Sequence, residues 1–199
     1  AASMLEAIPS RFHRVQWARS HMAGGTRDHQ IAPLILIRQQ LMWMVMDRHD
    51  RWLAECQKIG FKPSPRRYSE GTVTSEDAAA QVGCDVAQIA KSIVFQGEMG
   101  GVVVITSGAN KVDRKRKLKN LLGFKPKIAT ASYVLQETGY EPGGVPPFGH
   151  KNGCVTFIDQ DLFHFELVWG AAGSSDTVFP ISPIQLLRFT GGIVADVRL

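Results

Sequence analysis

Lys91-Ser92-Ile93-Val94-Phe95-Gln96, Gly97-Glu98-Met99-Gly100 and Gly101-Val102-Val103-Val104-Ile105-Thr106-Ser107 follow one another without a break. Two runs rich in β-branched residues flank a short glycine-bounded connection. That pattern predicts an antiparallel hairpin with strands over 91–96 and 101–107, because branched side chains suit a pleated surface and glycine supplies the turn. Working upstream, a short helical turn is expected over 86–90. Before it, Thr74 and Asp77 stand at the spacing at which a hydroxyl and a carboxylate each cap the other's backbone N–H, which predicts a helix over 75–82 ended by Gly83. Pro63 and Pro65 break any earlier helix and lead into Arg66-Arg67-Tyr68 as a short extended segment. Working downstream, Asp113 should cap a helix passing through Leu118, Leu121 and Leu122 to Gly123. A further helix is expected over 132–138, and strands over 154–158 and 163–169. Ser182-Pro183 is an N-cap and first-position pair for a last helix over 184–189, after which 193–197 returns as a strand. Strands and helices mix without regular βαβ spacing, so the fold class is α+β with a mixed sheet.

The front of the chain differs. Of six methionines five, and of six histidines four, precede Arg51, a bias that sets an N-terminal extension, 1–50, apart from a domain over 51–199. Arg11, Arg14, Arg19 and Arg27 against Glu6 give this segment the basic, acid-poor character of organellar transit peptides, without their serine richness. Helical periodicity runs over 37–59, where Leu41, Val45, Trp52 and Ile59 line one face and Gly60 is the stop, so this helix should pack on the domain. The most apolar stretch, 31–46, is shorter than the roughly 20 residues a bilayer span needs and is interrupted by Arg38, Gln39 and Gln40, which argues against a membrane anchor.

The 199 residues are 44% hydrophobic and 21% charged, enough for one well-buried core. Cys56, Cys84 and Cys154 form no C-x-x-C pair, which gives neither a zinc ribbon nor a disulfide framework and makes a reducing cytoplasm the simpler setting. A formal charge of +5 favours an anionic partner, and nucleic acid is the commonest for a basic domain of this size. G-x-S-x-G, H-E-x-x-H and G-x-x-x-x-G-K-[ST] are all missing, which argues against an esterase triad, a zincin and a phosphate-loop enzyme. What remains is a lysine opening a strand, a loop dense in glycine and proline, and a small-residue loop near Gly173.

Six fragments in order complete the reading: Thr72-Val73-Thr74-Ser75-Glu76-Asp77-Ala78-Ala79; Gln88-Ile89-Ala90-Lys91-Ser92-Ile93-Val94-Phe95; Thr106-Ser107-Gly108-Ala109-Asn110-Lys111-Val112-Asp113; Gly139-Tyr140 leading into Gly143-Gly144-Val145-Pro146-Pro147-Phe148-Gly149-His150; Val168-Trp169-Gly170-Ala171-Ala172-Gly173-Ser174; and Leu187-Arg188-Phe189-Thr190-Gly191. In this order and spacing they resemble the YbaK family, relatives of the editing domain of bacterial prolyl-tRNA synthetases. The resemblance implies a largely antiparallel, curved, barrel-like sheet flanked by helices. It also implies an aminoacyl-tRNA deacylase that acts in trans on mischarged tRNA, without metal or other cofactor. The family's commonest substrate is tRNA-Pro carrying alanine, cysteine or another small amino acid, and prolyl-tRNA synthetase is a candidate partner.

The same resemblance assigns roles. Lys91 matches the family's principal functional lysine, an ammonium able to hold a phosphate or ester oxygen; by pattern alone it reads as a lysine at an exposed strand end. Gly143-x-x-x-Pro147 matches the loop that lines the amino-acid pocket, so Gly143, Gly144, Val145, Pro146, Pro147, Phe148, Gly149 and His150 are candidate substrate contacts, with a rigid turn as the plain alternative. Gly173 and Ser174 match a third pocket element that would lay a ribose or aminoacyl group against backbone N–H groups; a simple β-turn looks the same. His150 is the residue type of a general base and equally that of a loop anchor, and His164 reads as an ordinary strand residue. Lys111, Arg114, Lys115 and Lys117 belong to a basic run that is a solvated helix face by default and an acceptor-stem contact in a tRNA-binding protein. The arrangement requires Lys91 and the glycine-proline rim to share one cavity. The rival function is a non-catalytic module that binds the aminoacyl end of tRNA, and a further one is recruitment of a synthetase through the first fifty residues.

Overall fold

The hairpin forms and organises the sheet. A computed structural model of the chain describes residues 46–68 and 74–199. Most of the extension 1–50, nearly all of the apolar stretch 31–46, the first part of the 37–59 helix and the start of the first family fragment lie outside the described residues. Residues Met46–Leu199 form one compact unit.

In chain order the elements are α1 (Arg48–Lys58), β1 (Arg66–Arg67), α2 (Ser75–Val82), a 3-10 turn (Val86–Gln88), β2 (Ile89–Gln96), β3 (Gly101–Ser107), α3 (Lys117–Leu122), β4 (Lys127–Ile128), α4 (Ala131–Thr138), β5 (Val155–Asp159), a second 3-10 turn (Gln160–His164), β6 (Val168–Ala171), β7 (Thr177–Ile181), α5 (Pro183–Thr190) and β8 (Ile193–Ala195). The eight strands run β1-β7-β6-β2-β3-β5-β8, with β4 paired to β2 off this path. Pairings β1–β7, β2–β3, β2–β4 and β6–β7 are antiparallel; β2–β6, β3–β5 and β5–β8 are parallel. The mixed sheet is therefore as expected, but its path stays open from β1 to β8 and does not close into a barrel.

Capping chemistry explains where the boundaries fall. Thr74 and Asp77 form the reciprocal box expected of them, and Ser182 does the same with Gln185 ahead of Pro183. Three expectations need correction. In the described part of the helix read over 37–59, the helix begins at Arg48, because Asp47 leaves the helical conformation and its carboxylate accepts from His49 N at 2.9 Å. The helix read from Asp113 begins at Lys117; the buried Asp113 carboxylate instead accepts from Arg116 N and Arg116 Nε, both at 3.0 Å, and closes the turn that precedes the helix. The strand read over 163–169 is a 3-10 turn followed by β6, since the Asp159 side chain accepts from Asp161 N and bends the chain at once. His164 thus lies in a turn. Strand β7 is not legible along the chain because Pro180 breaks its pattern. Proline is tolerated there because β1 pairs only with Val178 and Thr177, so nothing asks Pro180 for a donor on that edge.

Alternation along the strands divides the core between two faces. On one, Ala90 and Val94 of β2 and Val103 and Ile105 of β3 pack with Trp52 of α1, Val134 of α4 and Leu186 of α5. On the other, Phe95, Val102, Val104 and Phe157 meet Leu118 of α3, and Ile89 and Trp169 meet Ala78 and Ala79 of α2. Trp52 is 0% exposed, and truncating so large a buried ring costs about 3–5 kcal/mol. Among the described residues, no helix is long and apolar enough to cross a membrane.

Candidate active site

Lys91 is the third residue of β2, half-buried, and its Nζ donates to the Gly108 carbonyl at 3.0 Å. Burial pulls its pKa below the usual lysine range; Glu76 and Asp159 oppose that shift and Lys111 adds to it. Its strand partner on β3 is Thr106, so the two share a face. Thr106 Oγ1 donates to the fully buried Asp159 carboxylate at 2.9 Å, joined by Ser107 N at 3.1 Å and Asn110 Nδ2 at 2.9 Å. Three donors on one carboxylate oxygen compensate for taking that charge out of water. In the sequence Asp159 looks like the end of an ordinary strand, and reasoning from residue patterns misses it. A charged group ending an apolar run is the only signal.

The glycine-proline loop is built by packing. Val145 and Phe148 are core residues, 3% and 5% exposed, sharing a cluster with Ala90 and Val94. Since neighbours along a strand alternate, Lys91 projects with Ile93 and Phe95 on the opposite side of β2. The loop also fastens to itself: His150 Nε2 donates to the Pro146 carbonyl at 2.7 Å, and Tyr140 Oη to the Gly149 carbonyl at 3.0 Å. A carbonyl only accepts, so the His150 proton is on Nε2, and burial holds the ring's pKa below its ordinary value. That bond anchors the loop and leaves Nδ1 as the ring's acceptor. Gly144, Pro146 and Pro147 are buried as well, while Gly143 is exposed with φ +89°.

The loop and the third element meet. A Cβ on Gly144 would come within 2.9 Å of the Ser174 backbone, so only glycine permits the approach, and one on Gly170 would lie 3.4 Å from Pro147. Gly170 pairs with Ala90, the residue before Lys91. Ser174 Oγ donates to Asp176 Oδ1 at 2.5 Å, and Arg67 Nε to Asp176 Oδ2 at 2.7 Å. Those bonds, the Ser174 hydroxyl first, hold the Asp176 pKa down to about 2. The Ser174 hydroxyl proton is therefore already engaged.

In the basic run, Lys111 and Lys115 are exposed, whereas Arg114 Nη1 donates to the Pro126 carbonyl at 2.8 Å and Lys117 pairs with Asp196 at 2.7 Å. Lys119, Lys125 and Lys127 are exposed nearby in sequence. A hollow of about 210 Å³ opens beyond β3, lined among others by Ser107, Asn110, Asp161, His164, Phe165 and Arg198. Neither Lys91 nor the loop lines it. The structure thus unites the loop with Gly173–Ser174 and sets Lys91 beside Gly108 and the Asp159 network.

Helix α1 also reaches this site, although its contacts are not legible in the sequence. Arg48 pairs with Glu141 at 2.6 Å, His49 Nδ1 donates to the Ala172 carbonyl at 2.7 Å and Arg51 Nη1 to the Gly139 carbonyl at 2.8 Å.

Comparison with known proteins agrees with this architecture. The family model described as the aminoacyl-tRNA editing domain matches residues 69–189. YwhH, an uncharacterised protein of Bacillus subtilis (strain 168), is 34% identical over 124 residues, 62% of this chain and 78% of that protein. EbsC of Enterococcus faecalis (strain ATCC 700802 / V583), named as a candidate Cys-tRNA(Pro)/Cys-tRNA(Cys) deacylase, is 25% identical over 146 residues, 73% of this chain and 89% of that one. A crystal structure of a candidate trans-editing enzyme for prolyl tRNA synthetase superposes with TM-score 0.74 at 35% identity, covering 78% of this chain and 99% of that one. With the family model spanning more than half of its residues and the fold shared, the chain belongs to the YbaK-like aminoacyl-tRNA editing domain family.

Proposed function

We propose that the protein is a trans-editing aminoacyl-tRNA deacylase, which hydrolyses the ester joining a wrongly attached small amino acid, alanine or cysteine, to tRNA-Pro in the cytoplasm. The observation that carries this reading is the match to the editing domain over residues 69–189, with Lys91 and Gly143-x-x-x-Pro147 both inside it. The relatives named for editing around proline tRNA support the choice of tRNA, and prolyl-tRNA synthetase is the partner that would supply the mischarged product.

In the proposed reaction water adds to the ester carbonyl, the bond from that carbon to the ribose oxygen breaks, and the ribose oxygen takes up a proton. Free amino acid and intact tRNA leave. No protein nucleophile and no metal ion are required. The Lys91 ammonium orients the acylated end and offsets negative charge on its oxygens, and a neighbouring ribose hydroxyl assists the water. The exposed Gly143 end of the loop and backbone N–H groups around Gly173 and Ser174 supply shape and donors, since Val145 and Phe148 are committed to the core. Lys111 and Lys115, with Arg114 and Lys117 behind them, would follow acceptor-stem phosphates.

Single-turnover assays with Ala-, Cys-, Ser- and Pro-charged tRNA-Pro test the reading. Release of alanine or cysteine with proline retained is expected. Tight binding of all four with no ester loss would overturn it in favour of a non-catalytic module.

A further inference from the structure

We infer that helix α1, which precedes the matched editing domain, holds both pocket-forming loops in place, with His49 and Arg51 as positioning residues. The inference rests on the reading of the 143–150 loop and Gly173–Ser174 as the amino-acid pocket. Each loop is tied to the helix separately. The segment leading into the first receives Arg51 Nη1 at the Gly139 carbonyl and the Arg48 guanidinium at Glu141, and Phe148 packs against Trp52 in a tilted contact with ring centroids 6.2 Å apart. The second receives His49 Nδ1 at the Ala172 carbonyl, 2.7 Å away and one residue before Gly173.

The glycines of these motifs answer to the helix. A Cβ at Gly173 would sit 2.6 Å from the Arg48 carbonyl oxygen, and one at Gly149 3.0 Å from Glu55 Cβ. Gly173 has φ +94° and Gly149 φ +82°, which L side chains rarely adopt. The backbone of α1 therefore lies where any side chain at 173 would have to go. Because the loops also touch each other at Gly144 and Ser174, a single rigid helix fixes the distance across the pocket. A pocket that selects by shape needs such a backing, since small displacements of positioning groups cost binding and rate.

The test compares His49→Ala with His49→Asn, whose amide nitrogen reproduces the Nδ1 donor. Amide hydrogen exchange is followed across the whole domain, and deacylation of Ala-tRNA-Pro is measured on the same preparations. Expected for His49→Ala is faster exchange confined to the 139–149 and 172–177 segments, with the β2–β3 hairpin unchanged. KM should rise about fivefold and kcat change less than about twofold, the size of one missing hydrogen bond expressed in binding. His49→Asn should restore both. Unchanged exchange in the two loops, or exchange raised equally throughout the domain, would overturn the inference. If the wild type cleaves no mischarged tRNA, the proposed activity falls while the exchange pattern still decides the role of the helix.

Discussion

The two sides of β2 carry two unlike halves of the candidate site. Around Lys91 the structure is polar: a desolvated ammonium, the buried Asp159 with three donors on one oxygen, and Thr106 and Asn110 fixing the turn at Gly108. Around the glycine-proline loop it is apolar and close-packed, with Val145, Phe148 and Trp52 in one cluster and glycines wherever backbones touch. The first half can act on charge and the second on shape. Electrostatic groups are lost one at a time, whereas a packed loop shifts as a unit, so the two halves should respond differently to substitution.

The sharpest way to break this contrast is Lys91→Ala. Removing a group that stabilises developing charge typically costs about 10²- to 10³-fold in kcat. Stability should stay within about 0.5 kcal/mol, because the ammonium is bonded to a single carbonyl that water can reach once the side chain is gone. Single-turnover rates and urea melts on the same preparation check both. An unchanged rate would remove Lys91 from the chemistry and leave the charged half without a function.

Gly173→Ala strikes the packed half. The left-handed backbone and the clash with the Arg48 carbonyl should together cost about 2–3 kcal/mol in chemical denaturation. A neutral result would mean that α1 and this loop separate easily.

Asp176 links the packed half to β1, and its response to acid sharpens the comparison. Its folded pKa of about 2 lies below the unfolded value of 3.8, so its contribution to stability is complete above the unfolded pKa and is lost as pH falls through the folded one. Wild type should therefore lose more stability than Asp176→Asn between about pH 4 and pH 2, read by thermal melts over that range. Parallel curves would show that the Ser174 and Arg67 bonds do not favour the charged form.

The smallest effect expected is on salt dependence. Lys111→Ala together with Lys115→Ala should lower the slope of log binding constant against log salt by about two units, one for each phosphate no longer neutralised, and leave kcat alone. An unchanged slope would return this face to plain solvation.

Much of the secondary structure can be read along the chain. The β2–β3 hairpin, the Thr74–Asp77 box and the Ser182–Pro183 start are local, because each is decided by residues within one turn or one strand of each other. The boundaries that depart from expectation share one cause. Asp47, Asp113 and Asp159 each turn a side chain onto nearby backbone, and a carboxylate that can cap a helix can equally close a turn before one. Strand β7 is hidden by Pro180, which is acceptable only because β1 is too short to need its donor.

Residue types at fixed short spacings were enough for most of the helices and strands and, through six ordered fragments, for the family. Which side of β2 each candidate group occupies, that His150 Nε2 is bonded inside its own loop, and that Gly173 answers to a helix more than a hundred residues earlier depend on contacts made only in the folded chain. Contacts between segments distant in the chain leave no periodicity to read. They arise when burial of Trp52 and Phe148 brings α1 onto the loops, and only then does a particular hydrogen bond or a missing Cβ acquire its meaning.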